Sequence, residues 1–121
     1  MSDYYILDDN GDPVKCHNIY TWAQWLNSNK KQVSYENVGG IDVSTVFLGL
    51  DHIFVPEYKD RPILWETMVF DNKNGLDWQQ RFTSKQEALA FHEKVVTALK
   101  DIPSIRDTLD QLFNYKETLN D

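Results

Sequence analysis

The chain has 121 residues, with 19 Asp+Glu against 12 Lys+Arg for a formal net charge of −7, and 41% of its residues are hydrophobic, including 4 Trp. That size and aromatic content suit one domain with an ordinary core and argue against intrinsic disorder, while the single cysteine, Cys16, excludes an internal disulfide scaffold. No run approaches the roughly 18 apolar residues of a membrane span, and the acidic balance argues against direct binding to phosphate backbones. The opening Met-Ser-Asp-Tyr-Tyr has neither the basic nor the apolar region of a secretory signal, so a cytoplasmic protein with no membrane partner is expected.

In chain order, Tyr4 to Leu7 is β-prone and is followed by Asp8-Asp9-Asn10-Gly11-Asp12-Pro13, whose Asn-Gly pair supplies a tight turn into a second, polar strand over Val14 to His17. Thr21-Trp22-Ala23-Gln24 has the form of a capping box. It predicts a short helix with Ile19, Trp22, Ala23 and Leu26 inward, ended by Asn27-Ser28-Asn29. Gln32 to Val38 and Ile41 to Leu50 read as two strands joined at Gly39-Gly40. In the second, Ile41, Val43, Thr45 and Phe47 share one face, and its apolar end marks the centre of the sheet.

Residues 51–62 lack a period and predict a long loop. Ile63 to Phe70 places Leu64, Glu66, Met68 and Phe70 on one face and Ile63, Trp65, Thr67 and Val69 on the other. Asp77 to Phe82 alternates Trp78, Gln80 and Phe82 with Gln79 and Arg81. Ser84-Lys85-Gln86-Glu87 is a second capping signature, opening an amphipathic helix with Ala88, Phe91, Val95, Val96 and Leu99 at helical spacing and His92 within the stripe. Pro103 separates it from a second stripe, Ile105, Leu109, Leu112 and Phe113, running to about residue 119. The expected fold is a single α+β domain over residues 4–119: an antiparallel sheet of about five strands, a short N-terminal helix, and one or two C-terminal helices packed on the sheet.

No phosphate-cradling, dinucleotide-binding, paired-cysteine, HExxH or GxSxG motif is present. What remains is a loose constellation of ligand-binding candidates: Asp51 and His52 after the central strand, Glu66 and Arg81 in strands, and His92 on the helix. With the strands adjacent and the helix across them, Glu66, Arg81 and His92 are placed to face a common side. The bland readings weigh heavily. A core histidine outweighs metal ligation at His92, and a structural ion pair with Arg81 or His92 outweighs a general base at Glu66. For Asp51-His52 a strand-end turn and a pocket-lining role weigh equally. Cys16 and His17 point to opposite faces and form no catalytic pair. Tyr20, Trp22 and Trp25 read as core before they read as a stacking platform. The acids are dispersed, with one group, Asp101, Asp107, Asp110 and Glu117, offering an electrostatic interface against the more general reading of a solvated surface.

Ser44-Thr45-Val46-Phe47-Leu48-Gly49-Leu50-Asp51-His52, then Trp65-Glu66-Thr67-Met68-Val69-Phe70, then Arg81-Phe82-Thr83-Ser84 with Glu87-Ala88 and His92, resembles a family of small proteins widespread in phage and prophage genomes. Tyr4 to Leu7 and Thr21 to Trp25 also resemble it, so the likeness spans about residues 4–96 and is specific in its middle third. Two departures stand out: the family's Gly/Pro-rich loop after the LDH segment is replaced by Ile53 to Pro62, and Lys85 stands where the family has an aromatic. The resemblance implies genomic context and no chemistry. The expected function is a phage-encoded, non-enzymatic accessory protein that binds a host protein or a small signalling molecule in the host cytoplasm, in the counter-defence class (anti-CRISPR or sequestration of a defence signal). The alternatives are a small metal-dependent hydrolase using His52, Glu66 and His92, and a minor virion or assembly component. No cofactor or resident metal is expected, and a homo-oligomer is compatible with the sequence.

Overall fold

The computed structural model describes residues 4–28, 30–50 and 62–101, together with 109, 112 and 113. The elements in order are β1 (Tyr5–Leu7), β2 (Pro13–Lys15), α1 (Ile19–Leu26), β3 (Gln32–Val38), β4 (Ile41–Phe47), β5 (Trp65–Asp71), β6 (Leu76–Phe82) and α2 (Lys85–Asp101). The protein is α+β, as the periodicities predict. Its strands divide into a two-stranded hairpin, β1-β2, and a four-stranded antiparallel sheet in the order β3-β4-β5-β6. Among the described residues no helix is long and apolar enough to cross a membrane.

Each hairpin of the large sheet follows from its turn. Gly39 and Gly40 both take positive φ, 58° and 90°, which lets two residues reverse the chain between β3 and β4. In β4 burial alternates residue by residue, with Ile41, Val43, Thr45 and Phe47 buried. The strand stops at Phe47, three residues before the sequence pattern suggests, because the chain bends at Gly49 with φ 76°. The Gly49 carbonyl oxygen accepts from the Tyr5 amide and from Trp22 Nε1, both at 2.8 Å. One carbonyl thus ties β1 and α1 to the exit of β4, and the Tyr4–Leu50 bridge extends that junction.

Helix α1 begins earlier than the capping-box reading places it. Its cap is Asn18, whose side-chain oxygen accepts from the Tyr20 and Thr21 amides at 2.9 and 3.2 Å. Thr21 therefore lies within the first turn. Trp22, Trp25 and Leu26 turn inward, whereas Ile19 and Ala23, expected inside, are exposed. The Trp25 ring meets Phe47 edge-on at 5.5 Å between centroids. Helix α2 starts where its sequence signature puts it: Ser84 Oγ accepts from the Glu87 amide at 3.0 Å, and Glu87 lies in the first turn, where a negative charge is favoured.

The buried side of α2 (Ala88, His92, Val95, Val96 and Leu99) covers one face of the large sheet. Two apolar clusters lie beneath it. One gathers Ile41, Val43, Val69, Val95, Val96, Leu99, Leu109 and Phe113; the other gathers Tyr5, Phe47, Leu64, Trp65 and Ala88. Leu109 and Phe113 belong to the C-terminal stripe read from the sequence, and they are buried as that stripe requires. Leu112 packs against the first cluster, while Ile105 of that stripe, and all of the 51–62 loop but Pro62, lie outside the described residues.

Candidate functional site

Between the two clusters runs a polar row. Thr45 on β4 and Thr67 on β5 are direct cross-strand partners, and Ser34 on β3 is the partner of Thr45 on its other side. The same parity that buries Val43 and Phe47 buries Thr45, so the row faces α2, and His92 descends onto it from the helix. Thr45, Thr67 and His92 are all fully buried. Buried polar groups are tolerable only when hydrogen-bonded, and these are. Thr45 Oγ1 lies 2.7 Å from Thr67 Oγ1 and 2.8 Å from His92 Nδ1, and Thr67 Oγ1 donates to the Ala88 carbonyl at 3.3 Å.

The end of this chain sets its direction. A carbonyl oxygen only accepts, so the one Thr67 hydroxyl proton goes to Ala88. Thr67 then accepts from Thr45, whose proton is thereby used, and Thr45 accepts from His92. The proton on the imidazole is therefore at Nδ1. This leaves Nε2 facing outward to the seam between α2 and the edge strand β3, with Ser34 Oγ and Glu36 Oε1 each 3.3 Å away. Glu36 is half-buried on the helix-facing side of β3, and the exposed Glu93 follows His92 on the helix. One ligand atom from each of Glu36, His92 and Glu93 falls within 4.8 Å of the other two.

The expected convergence of Glu66, Arg81 and His92 does not form. Glu66 and Arg81 are cross-strand partners, and Arg81 Nε donates to Glu66 Oε2 at 2.9 Å, which is the structural ion pair. Because strand residues alternate and Thr67 faces α2, Glu66 and Arg81 lie on the opposite face of the sheet from His92. Glu66 is buried and Arg81 partly exposed, so the charge taken out of water is held by a guanidinium that still reaches it. Asp51 and His52, and three of the acidic candidates, Asp107, Asp110 and Glu117, lie outside the described residues. Asp101 is exposed at the end of α2.

Other groupings escaped the sequence reading. On the face of the sheet away from α2 Asp42 collects three donors: the Tyr35 hydroxyl at 2.5 Å, Asn37 Nδ2 at 2.8 Å and Asn72 Nδ2 at 3.0 Å. The bond from Tyr35, then that from Asn37, hold the Asp42 carboxyl below its ordinary value, and the bond to Asp42 raises the Tyr35 phenol above its own. Two clefts flank the β1-β2 turn: one of about 320 Å³ lined by Leu7, Asp8, Asp9, Gly11, Trp25 and Lys30, the other of about 310 Å³ reaching Trp65 and the start of α2. Neither is lined by Glu66, Arg81 or His92. Glu36, Ser34 and Glu93 carried no signal in the sequence, whereas Thr45 and Thr67 did, as polar residues at inward positions of apolar strand faces.

The stretch from β2 into the first turn of α1 presents large apolar side chains to solvent. Tyr20 is 80% exposed, Ile19 50% and Val14 39%. Cys16 within it is half-buried, its Sγ donating to the Asn18 carbonyl at 3.4 Å, and His17 is exposed. No family model matches the chain, and neither a curated protein nor a solved structure is significantly similar to it.

Proposed function

We propose that this protein is a phage-encoded, non-enzymatic accessory protein that binds a host component in the host cytoplasm, in the counter-defence class. The motif resemblance supports the phage context. The observation that carries the binding reading is the exposure of Tyr20, Ile19 and Val14 within one short stretch. Large apolar and aromatic side chains exposed to this degree gain less from folding than buried ones, and such residues are the ones that anchor protein interfaces. The β1-β2 turn, at the other end of the hairpin from Ile19 and Tyr20, carries Asp8, Asp9 and Asp12. The partner that fits is a host protein with an apolar recess.

The motif residues themselves serve the fold, since Thr45, Phe47 and Gly49 build the polar row, the core and the junction to α1. A small-ligand pocket built on Arg81 and His92 together has no support in the geometry, the two lying on opposite faces of the sheet. The test is capture on the immobilised full chain from host lysate, reading proteins and small molecules by mass spectrometry, alongside the Ile19→Ser/Tyr20→Ser variant. The expected result is a host protein retained by the wild type and lost on the variant at unchanged melting temperature. Equal retention by the variant removes the proposed surface, and the absence of any enriched component removes the binding reading.

A further inference from the structure

We propose that Glu36, His92 and Glu93 form a binding site for a divalent transition-metal ion at the seam between β3 and α2, an inference independent of the host-binding reading. The argument starts from the hydrogen-bond direction. The relay through Thr45 and Thr67 to the Ala88 carbonyl places the imidazole proton at Nδ1, so in the neutral ring Nε2 carries a lone pair. That lone pair faces the Glu36 carboxylate at 3.3 Å. Two electron-rich atoms so placed repel each other unless a positive centre or a donor lies between or beside them, and the Ser34 hydroxyl, 3.3 Å from Nε2, is one donor. A proton on Nε2 is one such centre. At 3.3 Å from Glu36 its bond is a long one, as is the Thr67–Ala88 bond that ends the relay.

A metal ion is another such centre, and the spacing admits it. With bonds of about 2.0–2.2 Å in tetrahedral geometry, neighbouring ligand atoms stand about 3.3–3.6 Å apart. The Nε2 to Oε1 separation of 3.3 Å matches that edge, and Glu93 brings a third ligand atom within 4.8 Å of both. One imidazole and two carboxylates suit Zn²⁺ or Mn²⁺, with water completing the shell. The bond from Nδ1 to Thr45 supplies the outer-shell contact that orients a metal-bound histidine. Because Glu36 lies on the edge strand and His92 and Glu93 on the helix, the ion would clamp α2 to the sheet.

The experiment titrates Zn²⁺ into the chelator-treated full chain by calorimetry and follows the ¹⁵N shift of His92 Nε2, in the wild type, in Glu36→Gln/Glu93→Gln and in Glu93→Gln. All three are made in a Cys16→Ser/His17→Gln background, so that this pair contributes no second site. The expected result is one equivalent bound, a large movement of the Nε2 shift toward the metal-bound range, and a raised melting temperature. Affinity should fall at least about 100-fold in the double variant and about ten-fold in Glu93→Gln. The Thr45→Val variant, which removes a positioning residue, should weaken binding about ten-fold with stoichiometry kept. Failure of Zn²⁺ to saturate, an Nε2 shift that does not move, or full affinity in Glu93→Gln would each overturn the site. The shift in the wild type decides the matter even if the double variant fails to fold.

Discussion

His92 Nδ1 lies 2.8 Å from Thr45 Oγ1 at a fully buried contact that joins α2 to a central strand between two apolar clusters. Replacing Thr45 by Val keeps the shape and removes the acceptor, leaving the Nδ1 proton without a partner in a dry setting. The expected loss is about 1–3 kcal/mol of unfolding free energy, the cost of an unsatisfied buried donor. Thr67→Val should cost about as much, and the double variant less than the sum by about 1 kcal/mol, since the second change acts on a relay already broken. Urea denaturation of the four proteins checks this.

The Glu66–Arg81 pair predicts an asymmetry. Arg81→Met strips the guanidinium from a buried carboxylate and should cost about 1–2 kcal/mol, less than for a fully buried pair because Arg81 is partly exposed. Glu66→Gln keeps an oxygen that accepts from Arg81 Nε and should cost less than about 1 kcal/mol. Chemical denaturation of the two single variants gives the order, and equal losses would mean that the pair is set by packing and not by charge.

Gly49 predicts a position effect among glycines. A Cβ there would stand 2.9 Å from Leu26 Cδ2, 3.1 Å from Trp22 Nε1 and 3.3 Å from the Tyr5 carbonyl oxygen, on a backbone with φ +76°. Gly40 has φ +90° with nothing within 4 Å. Gly49→Ala should therefore cost about 2–3 kcal/mol and loosen α1, whereas Gly40→Ala should cost about 1 kcal/mol from backbone strain alone. Thermal melts with near-ultraviolet circular dichroism distinguish the two.

The Tyr35–Asp42 bond predicts pH effects at both ends of the scale. Asp42 is lowered from 3.8, chiefly by the Tyr35 hydroxyl, so its contribution to stability is complete above the unfolded carboxyl value and is lost as pH falls through the lower folded one. Tyr35 is raised from 10.0, chiefly by its bond to Asp42, so its contribution is present below the unfolded phenol value and is lost as pH rises through the higher folded one. Ultraviolet titration should show the Tyr35 phenol ionising above its ordinary range in the wild type and returning toward it in Asp42→Asn.

The parts of this molecule that were legible in its sequence are those set by local rules. Alternation placed Ile41, Val43, Thr45 and Phe47 inward, Gly39-Gly40 marked a hairpin, and Ser84 with Glu87 marked a helix start. The start of α1 was misplaced because Asn18 and Thr21 are both good caps, and only the geometry shows that Asn18 reaches two amides. The convergence of Glu66 with His92 failed for a different reason. Both faces of β5 read as apolar, with Met68 and Phe70 on one and Trp65 and Val69 on the other, so parity alone does not say which face the helix covers. Glu36 meets His92 across 56 positions of sequence, a pairing that depends on the tilt of α2 over the edge strand and that no local pattern encodes.

The central claim is that the relay from His92 through Thr45 and Thr67 to the Ala88 carbonyl fixes the imidazole with its proton on Nδ1. Long-range ¹H–¹⁵N correlation spectroscopy of the metal-free protein, recorded at a pH where the ring is neutral, tests it directly. The account predicts a protonated Nδ1 and a lone-pair Nε2 for His92. A protonated Nε2 with a lone-pair Nδ1 would contradict it, reversing the hydrogen-bond direction and removing the open nitrogen that faces Glu36.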